Sequence, residues 1–166
     1  MTNFHTNDIE VYDLLNITLT RSWTLNSLIN PYNLAYCNAN KCLYVMDVTY
    51  INKPKKIFGV DRNGKLLKFW TTRMGYGCIS VTYDGNVVMA ELEGHTIIEY
   101  TADGQTVREI TLSAESGIAH PRYAVKLTSD SFLISHGANS SLHRVCMVDA
   151  IGDIKLSFGG PRGSTS

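Results

Sequence analysis

The chain has 166 residues, of which 44% are hydrophobic and 18% charged, and its 15 basic side chains balance 15 acidic ones. This composition excludes a collagen-like or disordered chain, and the zero formal charge excludes a global attraction to nucleic acids or acidic membranes. No apolar run approaches the roughly 20 residues that span a bilayer, and the N-terminus lacks the pattern of a secretory signal, so the sequence as written predicts a cytoplasmic domain, or an extracellular one if its N-terminus is truncated.

The first predicted elements are two strands. Ile9-Glu-Val-Tyr-Asp13 and Ile17-Thr-Leu-Thr-Arg-Ser-Trp23 are rich in the β-branched and aromatic residues that favour strands. Residues 1–8, which precede them, are expected to form a flexible N-terminus.

A repeat of four short segments follows. Asn30-Pro-Tyr-Asn-Leu-Ala-Tyr36, Gly75-Tyr-Gly-Cys-Ile-Ser-Val81 and His120-Pro-Arg-Tyr-Ala-Val-Lys126 begin three successive units. Three further strand-like segments follow in each unit, and tight turns such as Asn63-Gly64 precede the last of them. Four antiparallel strands in about 40 to 50 residues describe a blade of a β-propeller. A β-sandwich also has short strands, but its strand segments are not expected to recur in the same order in successive units.

The predicted fold class is therefore all-β, an incomplete β-propeller of three four-stranded blades and a preceding half blade. The sequence places the half blade at 9–25, the blades at about 30–72, 75–112 and 120–158, and a flexible tail at 161–166.

The first unit resembles a known repeat. Asn30-Pro-x-x-Leu-Ala, Cys42-Leu-Tyr-Val-x-Asp47 and Ile57-x-x-Val-Asp-x-x-Gly64-Lys are similar to an NHL repeat, and the later units are divergent copies. The resemblance covers about residues 9–160 and implies a propeller of the TolB-like class, usually with six blades. NHL propellers occur in ubiquitin-ligase accessory regions, RNA-binding regulators, cell-surface proteins and an amidating lyase, so the resemblance implies no single activity.

The strand count predicts that the ring is incomplete. Half a blade and three blades leave blade faces uncovered, and uncovered apolar faces are poorly tolerated in a soluble monomer. We expect either a fragment of a longer gene product or a chain whose ring is completed by missing blades or another copy. The isolated chain is expected to be marginally stable or self-associated, and added blades to stabilise it.

One face of the predicted propeller carries the longer connections, which link the second strand to the third and one blade to the next. Binding residues concentrate on such loops, so this long-loop face is the predicted binding face. Its candidates are Tyr50, Lys53, Lys55, Lys56, Arg73, Tyr76, His95, His120, Arg122, Tyr123, His136 and His143.

Two chemical alternatives arise from these candidates. The basic loop Asn52-Lys-Pro-Lys-Lys56, together with Arg73 and Arg122, suggests single-stranded RNA binding, although a solvated charged loop is the simpler interpretation. Histidines and acids at the second-strand ends, such as His136 and Asp47, suggest a metal. Neighbouring blades hold these positions too far apart to share one ion, so structural roles are expected there and no metal site.

The remaining motifs predict no catalysis. Ile134-Ser-His-Gly137 lacks the glycines of a nucleophile elbow, and no phosphate-binding loop is present, so we expect no catalytic residue and no cofactor. Cys37 and Cys42 flank a short loop and form a possible disulfide, which depends on the redox state of the compartment.

The sequence thus favours a non-enzymatic NHL-type module that binds a protein, peptide or glycan partner through its long-loop face. A divalent-metal lyase or hydrolase of the TolB-like class and a single-stranded RNA binder are the alternatives.

Overall fold

A computed structural model describes residues 1–3, 6–13, 15–48, 54–74, 77–118, 120–137 and 142–161. The chain divides into two compact units, Met1–Met74 and Gly75–Ser166. Across the described residues, no helix is long or apolar enough to cross a membrane.

The first unit contains two antiparallel sheets. A three-stranded sheet has the order β1-β2-β3, and a four-stranded meander, the first blade, has the order β4-β5-β6-β7. Apolar side chains from both sheets, including Ile9, Val45 and Phe58, form one core. The strands are β1 (Thr2–Asn3), β2 (Asp8–Tyr12), β3 (Leu19–Thr24), β4 (Pro31–Cys37), β5 (Cys42–Asp47), β6 (Pro54–Val60) and β7 (Leu66–Met74).

The second unit contains two four-stranded meanders, the second and third blades. A short 3-10 turn at Ala114–Ser116 lies between them in the chain. The strands are β8 (Gly77–Val81), β9 (Val87–Glu91), β10 (Thr96–Tyr100), β11 (Thr106–Thr111), β12 (Pro121–Thr128), β13 (Ser131–His136), β14 (Leu142–Asp149) and β15 (Ile154–Pro161).

Two details differ from the sequence-based expectation. Residues 1–8 do not all form a flexible N-terminus, because Thr2–Asn3 pairs with β2 and the Met1 amino group donates to the Glu10 carbonyl at 2.7 Å. At the other end, β15 extends to Pro161, beyond the predicted limit of 158. The rest of the predicted tail, 162–166, lies outside the described residues.

The packing of the second blade against the third forms the core of the second unit. Val88, Ala90, Ile97 and Ile110 contribute one side of this core. Ala124, Phe132, Ile134, Cys146 and Val148 contribute the other side, and every one of these residues is at most 2% exposed.

The tight turns recur because each is closed by hydrogen bonds between residues that are close in the sequence. At the end of the third strand of each blade, a side-chain oxygen of Asp61, Thr101 or Asp149 accepts hydrogen bonds from the amides two and four residues later. Backbone hydrogen bonds lower the pKa of Asp61, and the Lys155 ammonium, first among several donors, lowers that of Asp149. These acceptors make each hairpin locally determined.

One buried ionic cluster lies in the second unit. Glu99 is fully buried, and its Oε1 accepts hydrogen bonds from Asn86 Nδ2 at 2.8 Å and from Lys126 Nζ at 2.7 Å. Its Oε2 lies 3.1 Å from Arg108 Nε. Since Lys126 belongs to the third blade, this cluster joins the third blade to the second.

We expect Glu99→Gln to lower the free energy of unfolding by about 3 kcal/mol, because removing one partner of a buried ion pair leaves the other charges uncompensated. Chemical denaturation measures the effect. Glu115→Gln, at an exposed glutamate, is the matched control and should leave stability within about 0.5 kcal/mol of the parent. Equal losses in the two variants would contradict this role for Glu99.

Candidate functional site

Three of the predicted site residues, Tyr50, Lys53 and Tyr76, lie outside the described residues. The others divide between the two units. Lys55, Lys56 and Arg73 belong to the first unit, and the second contains His95, His120, Arg122, Tyr123, His136 and His143.

Among the described basic candidates of the first unit, Lys56 and Arg73 are exposed and Lys55 is not. Lys55 is 1% exposed, so its ammonium is not available to a phosphate, which corrects its assignment to the binding face. The neighbouring Lys56 is exposed and places Nζ 5.8 Å from the centroid of the Phe69 ring. Burial of Lys55 follows from its position in β6, where alternate side chains point inward.

A histidine pair marks the long-loop end of the second unit. The rings of His95, in the turn after β9, and His120, just before β12, have centroids 6.0 Å apart at an interplanar angle of 38°. Both side chains are partly buried. Both residues adopt positive φ, 50° and 53°, a left-handed conformation that costs a non-glycine residue about 1 kcal/mol or more and is concentrated at functional sites.

Several contacts fix His95. Its carbonyl accepts a hydrogen bond from the Leu112 amide at 2.8 Å, and its Nδ1 lies 3.4 Å from the Ile118 carbonyl oxygen. The buried carboxylate of Glu91 accepts a hydrogen bond from the Thr96 hydroxyl across the same turn. Glu91 therefore has the structural role expected of acids at this register.

Arg122 and Tyr123 follow His120 along β12, and both are exposed. Burial raises the pKa of the Cys78 thiol, and the positive charge of Arg122 partly opposes this shift. Cys78 is therefore a neutral thiol at neutral pH.

The two remaining candidates differ in accessibility. His136 is 5% exposed, and its Nε2 lies 3.6 Å from Cys146 Sγ, so it is a packed residue rather than a surface contact. His143 is exposed on β14.

Arg144, which is partly exposed, is not among the residues predicted from the sequence. Its Nη2 donates to the Gly117 carbonyl at 3.3 Å, one residue before the Ile118 carbonyl that faces His95. The available signal was its position at the long-loop end of a strand, next to the candidate His143.

In the first unit, the Asp47 carboxylate has the expected structural role of a hydrogen-bond acceptor. Its two carboxylate oxygens accept hydrogen bonds from the Ile29 and Asn30 amides at 3.1 and 2.8 Å. Within the described part of the chain, no group of three or more His, Cys, Asp or Glu side chains is arranged to hold a metal ion.

Cys37 and Cys42 are directly opposed in the β4–β5 pair, and both are buried free thiols in this structure. Burial raises the pKa of Cys42, which disfavours the reactive thiolate. Their disulfide stays a prediction for an oxidising compartment.

A cavity of about 920 Å³ lies in the first unit, and none of the predicted site residues lines it. Its walls include Ile9, Trp23 and Tyr36, with Arg21 and Arg62 among its few charged residues.

Comparisons with known proteins identify the fold. No protein-family model and no curated protein matches the chain, whereas solved structures do. A catalytically inactive virginiamycin B lyase from Staphylococcus aureus, crystallised with quinupristin, has a TM-score of 0.64 at 20% identity over 96% of this chain and 51% of its own. Hydrazine synthase from Kuenenia stuttgartiensis has a TM-score of 0.65 at 16% identity, over 95% of this chain and 44% of its own. The Dos1 propeller has a TM-score of 0.61 at 11% identity, over 97% of this chain and 42% of its own.

These similarities, together with the four-stranded sheets, confirm the predicted all-β fold of propeller blades. The chain spans about half the length of the structures that it matches.

We expect Gly94→Ala to disturb the turn that presents His95. A Cβ at Gly94 would overlap the Glu91 carboxylate and approach Thr96 Oγ1 to 2.9 Å, so the Glu91–Thr96 hydrogen bond must break, at a cost of about 1 to 3 kcal/mol. Thermal unfolding and the NMR signals of the His95 ring measure the change.

A double variant provides the control. Glu91→Ala removes the obstructing carboxylate, so Gly94→Ala should cost less in that background than in the parent. Equal costs in the two backgrounds would contradict the steric explanation.

Proposed function

We propose that this chain is an NHL-type module of a six-bladed, TolB-like propeller and binds a protein, peptide or glycan partner through its long-loop face, without catalysing a reaction. The paired rings of His95 and His120, 6.0 Å apart on left-handed backbone, are the observation that carries this proposal. Two strained residues from different loops, held side by side and partly exposed, favour a ligand contact over a purely structural role.

The charge of the surrounding side chains indicates which chemical class of partner would bind there. Arg122 and His143 are exposed and Arg144 is partly exposed at the same end of the second unit. Guanidinium groups bind carboxylates well because they present several donors in one plane. An acidic segment of a protein or peptide is therefore the partner that we propose.

A fluorescein-labelled octaglutamate peptide tests this assignment by fluorescence anisotropy at low salt. Arg122→Ser should weaken binding about tenfold, which corresponds to the loss of one charge-assisted hydrogen bond. Added salt should weaken binding further, since exposed charges are screened. A glycine-serine peptide of the same length should not bind.

Lys65→Ser is the matched control, because Lys65 is an exposed cation in a tight turn on the opposite side of its blade. It should leave binding unchanged. Binding that depends on Lys65 and not on Arg122 would reject the long-loop face.

A divalent-metal lyase or hydrolase is the second candidate, favoured by the likeness to virginiamycin B lyase and by imidazoles that can act as general bases. Elemental analysis after dialysis separates it from the first. We expect less than one equivalent of Ca, Mg or Zn per chain, and one retained equivalent that is lost in His120→Ala would support the lyase.

A further inference from the structure

Two buried thiols face each other at the first hairpin of the first blade. Cys37 is the last residue of β4 and Cys42 the first of β5, and the two are directly opposed in the pairing of these strands. Directly opposed residues lie on the same face of the sheet, with Cβ atoms about 4.5 to 5.5 Å apart. Both cysteines are free thiols and at most 1% exposed. We call Cys37 and Cys42 the dithiol pair.

Hydrogen-bond donors and a positive charge surround the dithiol pair. The Asn40 amide donates to Cys37 Sγ at 3.4 Å, and the Tyr44 hydroxyl hydrogen-bonds the Cys42 side chain. Tyr44 remains a donor at neutral pH, because burial raises the pKa of its hydroxyl. The Lys68 ammonium also favours the charged form of Cys42. A thiol is a weak acceptor, whereas an anionic acceptor forms stronger hydrogen bonds, so these neighbours fit sulfur in its thiolate form.

A ligand is needed to form the thiolate. Burial is the largest influence on the Cys42 thiol and raises its pKa, so Cys42 keeps its proton at neutral pH. A metal ion deprotonates the thiol that coordinates it. The donors and the cation around the dithiol pair then hold the coordinated sulfurs in place, as outer-shell partners do in metal sites.

The ligand set selects the kind of metal. Thiolates are soft ligands and prefer a soft ion such as Cu(I), which is stable with two sulfur ligands. A structural Zn(II) takes four ligands. The described residues contain no group of three or more His, Cys, Asp or Glu side chains that could hold a metal ion. Two opposed thiols therefore fit Cu(I) and are too few for structural zinc.

The dithiol pair lies directly beneath an exposed turn. Residues 38–41, which connect the two cysteines, are all exposed. Lys41 adopts a φ of 49°, a left-handed conformation that is unfavourable for a non-glycine residue. Local opening of one such turn exposes the sulfurs and leaves the sheet intact.

We propose that Cys37 and Cys42 form a binding site for one Cu(I) ion, which both sulfurs coordinate as thiolates. Two protons pass to solvent when the ion binds, and no electron is transferred. The complex carries one net negative charge, which the Lys68 ammonium and the two hydrogen-bond donors offset. This site lies at the tight-turn end of its blade, away from the long-loop face, so it does not depend on the proposed function.

Competition with bicinchoninate for Cu(I), under nitrogen with ascorbate as the reductant, tests the proposal. We expect the 166-residue chain to take one equivalent of Cu(I) from the coloured bicinchoninate complex. Tyr44→Phe should weaken binding about tenfold, the lower end of the losses that follow removal of an outer-shell partner. Cys37→Ser and Cys42→Ser should each weaken binding by more than about a hundredfold, since each removes a ligand.

Cys78→Ser and Cys146→Ser are the matched controls. Cys78 is partly exposed and Cys146 is buried, and neither faces a cysteine in the strand pairing, so both variants should bind Cu(I) as the parent does. Circular dichroism establishes that each variant is folded. X-ray absorption at the copper edge of the parent needs no variant and should show two sulfur neighbours.

Three results would overturn the proposal. The first is a parent chain that leaves Cu(I) with bicinchoninate. The second is binding that survives Cys37→Ser and is lost in Cys78→Ser, which would place the copper on the more accessible thiol. The third is a copper spectrum with nitrogen or oxygen neighbours and no sulfur.

Discussion

Apolar packing of one four-stranded sheet against the next is the interaction on which the other features depend. In the second unit, Val88, Ile97 and Ile110 pack with Ile134 and Cys146 in a single core. Leu112 and Ile118, from the connection between the second and third blades, pack into the same core. The same packing therefore fixes β9, β10 and β12, the strands that flank His95 and His120.

The buried Glu99 adds selectivity to this otherwise apolar packing. A carboxylate that needs Asn86, Arg108 and Lys126 as partners accepts only a neighbouring sheet with a cation at the right register. Wrong neighbours would leave the charge unpaired, which is costly in a core. The second blade thus selects the third by charge as well as by apolar packing.

The repeat in the sequence predicted the blades because turn chemistry and strand composition are local properties. The features that the repeat could not predict depend on contacts between residues that are distant in the sequence. The sequence around Lys55 is typical of a charged surface loop, yet the Lys55 side chain is buried in β6, between the exposed Pro54 and Lys56. The two-residue strand Thr2–Asn3 has no pattern of its own and exists only through pairing with β2. Arg144 joins the candidate site because a carbonyl from another loop, that of Gly117, meets its side chain.

The side-chain oxygens that close the tight turns have a consequence for folding kinetics. Asp61, Thr101 and Asp149 each organise a hairpin from amides only two and four residues away. Such contacts form with little loss of loop entropy, so several hairpins can nucleate independently along the chain. As in other repeat proteins, folding then propagates between neighbours, and no single hairpin is the obligatory nucleus.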